Sequence, residues 1–385
     1  MPDMELKKKQ KVSTVVRYIV LTSVLVLSTA LGIMHQVGTK WLPAGVDAFC
    51  PFGGVESAWA LVANGAMIQR IAWSSFILFF ATLIILVVFR RAFCGQFCAL
   101  GFLQEIFSNI GKKIFKKQFQ VPAVVDKFAR YLKYVILIFI TALSFKTGEL
   151  IIREYDPWAA YHHLISEDLF AEFTIGFIIL IVSMLGSVFY NRFFCKYLCP
   201  MGAFLGAINK IGLFKVSRNK SSCINCKACS KACPVNIQVD SLEKVQSSEC
   251  IMCGKCVNSC PVKDTLDFQG PKSKKASPVT VTLATVLIMA VVVGATTVSG
   301  AFKWNIQQLS EAVDEHGGFN PDEIKGRNTF KEVSELSGIP KNEFLEKFKI
   351  SEEQFNAPIK DSAHAEGSTF DTDAVRDFVI EKMKK

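Results

Sequence analysis

Residues 223–234 read CINCKACSKACP and residues 250–261 read CIMCGKCVNSCP. In each run two residues separate the first three cysteines, three more precede a fourth, and proline follows: Cys223, Cys226, Cys229, Cys233-Pro234, then Cys250, Cys253, Cys256, Cys260-Pro261. A tight loop of this spacing wraps three thiolates around one [4Fe–4S] cubane, and the fourth cysteine of each run serves the other cluster. The expected ligand sets are therefore Cys223, Cys226, Cys229 and Cys260 for one cluster, and Cys250, Cys253, Cys256 and Cys233 for the second. Paired zinc sites are the alternative, but zinc has no use for a crossed fourth cysteine ahead of proline.

The surroundings of these runs are apolar. Half of the 385 residues are hydrophobic and the mean hydropathy is +0.31. Five stretches approach the roughly 20 helical residues that a bilayer core demands: Val15–Met34, Ile71–Phe89, Tyr131–Phe145 extending toward Leu150, Phe173–Tyr190 and Pro278–Val298. The first follows Lys7, Lys8, Lys9 and Lys11 and carries Arg17 at its start. It is too long for a signal peptide, so an uncleaved anchor is expected. The net charge of +10 is unevenly placed. Lys and Arg crowd the N-terminus, the loop after the second stretch and the segment after the fourth. The positive-inside rule then puts the N-terminus in the cytoplasm and the C-terminus outside. Most of the basic charge is thus read as topological, and no nucleic-acid partner is expected.

Two segments repeat at an offset of 101 residues. Arg91-Ala-Phe-Cys94-Gly-Gln-Phe-Cys98-Ala-Leu-Gly101 aligns with Arg192-Phe-Phe-Cys195-Lys-Tyr-Leu-Cys199-Pro-Met-Gly202. Each follows an outside-to-inside span, so spans one–two and three–four read as two copies of one hairpin. Cysteines at i and i+4 share a helix face. Cys94, Cys98, Cys195 and Cys199 are candidates for an additional redox or metal site. A dithiol pair and a structural role stay open. Cys50, in the stretch Cys50-Pro-Phe-Gly-Gly54 read as a turn, and His35, His162 and His163 fall on the outer side. There they are candidates for redox or quinone contact, or for surface residues. No C-x2-C-H attachment site for covalent haem occurs.

The tail from Phe302 carries 12 basic against 17 acidic residues. Thr329-Phe-Lys-Glu332 has the form of a capping box. Gly338-Ile-Pro340 interrupts the helical pattern, and Phe344, Leu345 and Phe348 resume it. A small helical domain is expected.

With the paired C-x3-C motifs and the eight-cysteine run together, the chain resembles the polyferredoxin-type membrane electron-transfer proteins over roughly residues 15–300. That family includes the quinol dehydrogenase subunit of periplasmic nitrate reductase systems. It also includes the membrane part of the nitrous oxide reductase maturation protein and the copper-handling protein of cytochrome oxidase assembly. Its pattern places two Cys-x3-Cys-Pro motifs before two [4Fe–4S] motifs. Cys195–Pro200 fits it fully, whereas Ala99 stands where proline is usual. The resemblance implies electron transfer between a quinol pool, cytoplasmic clusters and an extracytoplasmic acceptor.

The expected architecture is an all-α membrane protein of five transmembrane helices, two repeated hairpins plus one. An inserted two-cluster bacterial-type ferredoxin domain and a small helical C-terminal domain complete it. The expected divisions are a basic cytoplasmic N-terminus at 1–14, a four-helix membrane region at 15–214 and a cytoplasmic ferredoxin domain at 215–270. A fifth helix at 278–300 and an extracytoplasmic domain at 301–385, a candidate dock for a redox partner, follow. The expected cofactors are two [4Fe–4S] clusters, with a further metal centre and a quinone as candidates. The expected function is electron transfer between a quinol pool or cytoplasmic donor and a respiratory or extracytoplasmic acceptor. The alternative is a factor that assembles or regulates a metallocentre, for example by reducing a metal.

Overall fold

The computed structural model describes residues 2–37, 50–55, 58, 73–117, 119, 121–147, 152–166, 168–302, 304, 319, 321, 324, 326, 328–363 and 370–383. The chain divides into two compact units, Met1–Asn305 and Ile306–Lys385.

The first unit is helical around a small sheet. Its main helices are α1 (Pro2–Val37), α2 (Trp73–Phe89), α3 (Ala92–Gln96), α4 (Ala99–Phe115), α5 (Leu132–Thr147) and α6 (Pro157–His162). They continue with α7 (Thr174–Phe189), α8 (Phe193–Tyr197), α9 (Pro200–Ile208), α10 (Ala228–Ala232), α11 (Lys255–Asn258) and α12 (Pro278–Val298). Residues 2–14, within the expected basic N-terminus, form the start of α1. By length and composition α1 and α12 suffice to cross a membrane; α2 and α7 are apolar and shorter. The third expected span corresponds to α5, of 16 residues, and Leu150 beyond it lies outside the described residues.

The sequence repeat is also a structural one. In each copy an apolar helix (α2, α7) leads to a short helix bearing the first cysteine (α3, α8). A longer helix follows, N-capped by the second cysteine (α4, α9). Cys98 Sγ accepts from the Gly101 amide at 3.4 Å, and Cys199 Sγ from the Gly202 amide at 3.2 Å. Pro200 occupies the first turn of α9, where a missing N–H costs nothing. The copies interlock through close backbone crossings. A Cβ on Gly111 would lie 1.9 Å from the Val188 carbonyl, and one on Gly212, 101 residues on, 2.9 Å from the Leu86 carbonyl.

The cysteine runs hang between β1 (Lys215–Arg218) and β2 (Leu266–Gln269). These pair antiparallel with Val216 opposite Phe268, and β3 (Lys275–Ala276) extends the sheet. Val216, Leu266 and Phe268 are buried in one core with Cys229, Cys250, Cys253 and Cys256.

In the second unit the capping box at Thr329 and Glu332 starts α13 (Phe330–Ser337), and Gly338 ends it in a left-handed cap. α14 (Lys341–Phe348), α15 (Glu352–Asn356), which begins with a second capping box at Ser351, and α16 (Thr372–Met383) follow. Their shared core sets Phe330, Phe344, Phe348, Phe355 and Phe378 among isoleucine and valine side chains.

Candidate iron–sulfur sites

The two runs fold as matching loops. The residues two and four positions after the first cysteine adopt left-handed backbone in both: Asn225 and Lys227, then Met252 and Gly254. Such a turn is strained for a residue with a Cβ. Backbone hydrogen bonds reach sulfur at equivalent places, from Asn225 to Cys223, Met252 to Cys250, Val235 to Cys233 and Val262 to Cys260.

Two cavities of about 340 and 350 Å³ result. Cys223, Cys226, Cys229 and Cys260 line the first; Cys233, Cys250, Cys253 and Cys256 line the second. Each gathers three cysteines of one run with the last of the other. Among the described residues no three His, Cys, Asp or Glu groups converge on a single-ion point, which a zinc site would need. Four thiols in each cavity, with amides directed at sulfur, fit a [4Fe–4S] cubane, whose chemistry is one-electron transfer.

Buried charge ties the second cavity to the helices. Arg90 donates to the carbonyls of Asn209, Val245, Gln246 and Ser247 at 2.6–3.1 Å, clamping the approach to Cys250. Gln96 donates to the Met252 carbonyl at 2.7 Å. Glu249 accepts from Lys133 at 2.6 Å, with Arg91 at 3.5 Å and Arg130 at 3.8 Å. Glu105 accepts from Arg17 at 2.8 Å, from Lys255 at 2.8 Å and from Arg192 at 3.3 Å. Burial works to raise both carboxyl pKa values, but the surrounding cations win. They hold Glu105 well below the usual carboxylate range and keep Glu249 lowered as well. The basic charge read as topological is therefore in part structural: Arg90, Arg91, Arg192 and Lys196 are buried, because carbonyls and carboxylates replace their water.

The four C-x3-C cysteines come together where the copies meet. Cys94 and Cys199 border one buried apolar cluster and Cys98 and Cys199 another, and burial raises the thiol pKa values of Cys94, Cys98 and Cys199. Burial, then Cys195 and Cys94, push the Cys98 thiol up to about 12. Gln104 donates to Cys195 Sγ at 3.1 Å, and Arg192 donates to the Cys94 carbonyl at 2.7 Å. This group adjoins the second cavity: a Cβ on Gly95 would lie 3.1 Å from Cys253 Cα.

Farther along α1 from this group, His162 is buried among Trp158 and Tyr161, its ring centroid 4.6 and 5.2 Å from theirs. Its Nε2 has no hydrogen-bond partner. Burial, then His163 and His35, push it down to about 4. His163 stacks on Phe173 and shares a hydrogen bond with Gln36. Cys50 is half-buried and its carbonyl accepts from Ser75 at 2.6 Å.

Glu105, Glu249, Lys133, Lys255 and Gln104 escaped the sequence reading. A usable signal existed for two groups, since Arg17 and Glu105 interrupt otherwise apolar helical stretches.

Residues 215–273 match the family described as a 4Fe-4S dicluster domain, and residues 71–118 and 173–219 each match that described as a 4Fe-4S binding domain. Over 255 residues the chain is 30% identical to YccM of Escherichia coli, a protein named for electron transport, covering 65% of this chain and 71% of that one. The chain belongs to the polyferredoxin-type electron-transfer family. As a member of it, the protein is an iron–sulfur electron-transfer protein carrying [4Fe–4S] clusters. The regulatory protein NosR of Pseudomonas aeruginosa is 30% identical over 149 residues, 38% of this chain and 20% of NosR. The ferredoxin-type protein NapH of Haemophilus influenzae is 26% identical over 149 residues, 38% of this chain and 49% of NapH. No solved structure matches.

Proposed function

We propose that this polyferredoxin-type protein is membrane-bound and carries electrons between a quinol pool or a cytoplasmic donor and a respiratory or extracytoplasmic acceptor. The observation that carries the reading is the pair of four-cysteine cavities, one locked to the apolar helices by Arg90, Gln96 and two buried carboxylates. In this reading Cys223, Cys226, Cys229 and Cys260 hold one cluster, and Cys250, Cys253, Cys256 and Cys233 hold the other. The helices α1, α2, α5, α7 and α12 are the five spans. Lysine crowding at the start of α1 supports a cytoplasmic N-terminus, and an odd number of spans then puts 301–385 outside, available to a redox partner.

The quinol would meet the protein near His162. A neutral buried imidazole with an open Nε2, flanked by two aromatic rings, can accept a hydrogen bond from a quinol hydroxyl. Two arms test this. Full-length protein in lipid vesicles is mixed with a short-chain quinol while cluster reduction is followed by EPR. Reduction is expected, slowed at least tenfold in His162→Ala with iron content unchanged. Clusters that stay oxidised with quinol yet reduce added Cu(II) would favour a role in metallocentre assembly or regulation, which the regulatory name of NosR suggests for that relative. A reporter fused after Lys385 is expected to be active outside the membrane; cytoplasmic activity would overturn the topology.

A further inference from the structure

The two loop cavities leave four gathered cysteines unused. We infer that Cys94, Cys98, Cys195 and Cys199 together hold a third [4Fe–4S] cluster, shared between the two copies of the repeat and seated beside the cavity of Cys250, Cys253 and Cys256. The inference deepens the electron-transfer reading and rests on it for the use of the cluster, not for its ligands.

Each copy is similar to a 4Fe-4S binding domain, yet each brings only two cysteines, half of what a cubane takes. The interlocked helices supply the missing half from the other copy. Two sulfurs cap helix N-termini, Cys98 at α4 and Cys199 at α9, where backbone amides favour negative charge. Gln104 of the first copy donates to Cys195 of the second.

The second line of argument is charge. Arg91 and Arg192 are equivalent in the repeat and fully buried, and the Nε of each has no hydrogen-bond partner. Each reaches the other copy's glycine. A Cβ on Gly101 would lie 2.6 Å from Arg192 Nη1, and one on Gly202 3.0 Å from Arg91 Nη2. Three cations surround Glu105, and three more surround Glu249. Both carboxylates are thus outnumbered in a dry interior, where surplus charge is expensive. A cubane with four thiolates is a net anion, and it becomes more negative on reduction. It would balance the surplus and take up the orphaned N–H groups.

The position continues a chain of redox groups. Gly95 follows Cys94 and touches the backbone of Ile251 and Cys253. The quartet would thus stand next to the site of Cys250, Cys253 and Cys256, as a further one-electron station.

The test is iron and acid-labile sulfide per chain in full-length, anaerobically purified protein, with Mössbauer and EPR spectra. Three clusters give about 12 irons. Cys98→Ser and Cys199→Ser are expected to lose a third of the iron and to keep the two coupled signals of the loop clusters. About eight irons in the wild type would sink the third cluster and leave the electron-transfer reading intact. So would a disulfide within the quartet, or one zinc or copper held there. No cluster signal at all would sink both. Should the serine variants fail to fold, the wild-type iron count still decides. Arg192→Gln gives an independent readout. It is expected to lower the midpoint potential of the third signal with iron unchanged, and an unmoved potential would overturn the charge argument.

Discussion

The two loop cavities are built alike and surrounded differently. That of Cys223, Cys226, Cys229 and Cys260 opens to solvent: Cys226 is exposed and Ile224 beside it is 63% exposed. Its nearby ion pair, Lys220 with Glu243, is a surface one. That of Cys250, Cys253, Cys256 and Cys233 is walled by helices, with its own three cysteines all buried. Buried guanidiniums and the carboxylates Glu105 and Glu249 bind it to α1, α4 and α5. The same sequence motif therefore serves two stations. Solvent exposure and neighbouring charge set cluster potentials, so the two sites are expected to differ in potential.

The sharpest way to break this comparison is Cys233→Ala. The residue belongs to the open site's run but lines the walled cavity. Loss of the walled site's EPR signal with the open site's retained is the expected outcome, and Cys260→Ala should do the reverse. If each variant instead lost the cluster of its own run, the crossed assignment would be wrong.

Next in size is removal of the carboxylates. Glu105→Gln leaves Arg17 and Arg192 buried without their counter-ion, a change that typically costs about 3–5 kcal/mol. Glu249→Gln does the same to Lys133 and Arg91. Both should lower the denaturant midpoint, and the walled cluster should be lost first. The signs follow from the depressed carboxyl pKa values. Protonation removes the same stabilisation, so acid should reproduce the variants as pH falls below about 4.5, the ordinary carboxylate value, toward the lower folded one. Glu243→Gln, at the open site, should leave the midpoint within error. Equal effects at the two sites would mean that burial does not distinguish them.

How much of this was legible beforehand follows from what kind of signal each feature leaves. The cysteine runs are local: spacing alone says which thiols a loop can gather. The repeat is also visible, because Arg91, Cys94, Cys98 and Gly101 recur together. The capping box at Thr329 is local too. The interlock is not, since it depends on Gly111 and Gly212 meeting helices more than 70 residues away. Nor are the charge clusters. Arg90 and Arg192 look like loop charges that orient a membrane protein, and only their depth shows that carbonyls and carboxylates have replaced water around them. Lys255 reads as a spacer between Cys253 and Cys256, yet it reaches Glu105, 150 residues earlier.

The smallest expected effect lies within the loops themselves. Lys227 and Gly254 are equivalent, four residues after the first cysteine of each run, and both have positive φ, 59° and 75°. A left-handed residue with a Cβ costs about 1–2 kcal/mol, and glycine avoids this at some cost in unfolded-chain entropy. Lys227→Gly should therefore stabilise the open site slightly, by at most about 1 kcal/mol. The reverse change is not its mirror image. A Cβ on Gly254 would lie 2.9 Å from Cβ of Pro278, the first residue of α12, so Gly254→Ala meets a steric clash as well as strain. The walled site has glycine where a helix presses on the loop, and the open site has an exposed lysine at the equivalent place. Denaturant midpoints read from cluster absorbance check this: a small rise for Lys227→Gly and a clear fall for Gly254→Ala. Equal and opposite shifts would mean that the left-handed turn alone, and not the packing of α12, decides which residue each loop accepts.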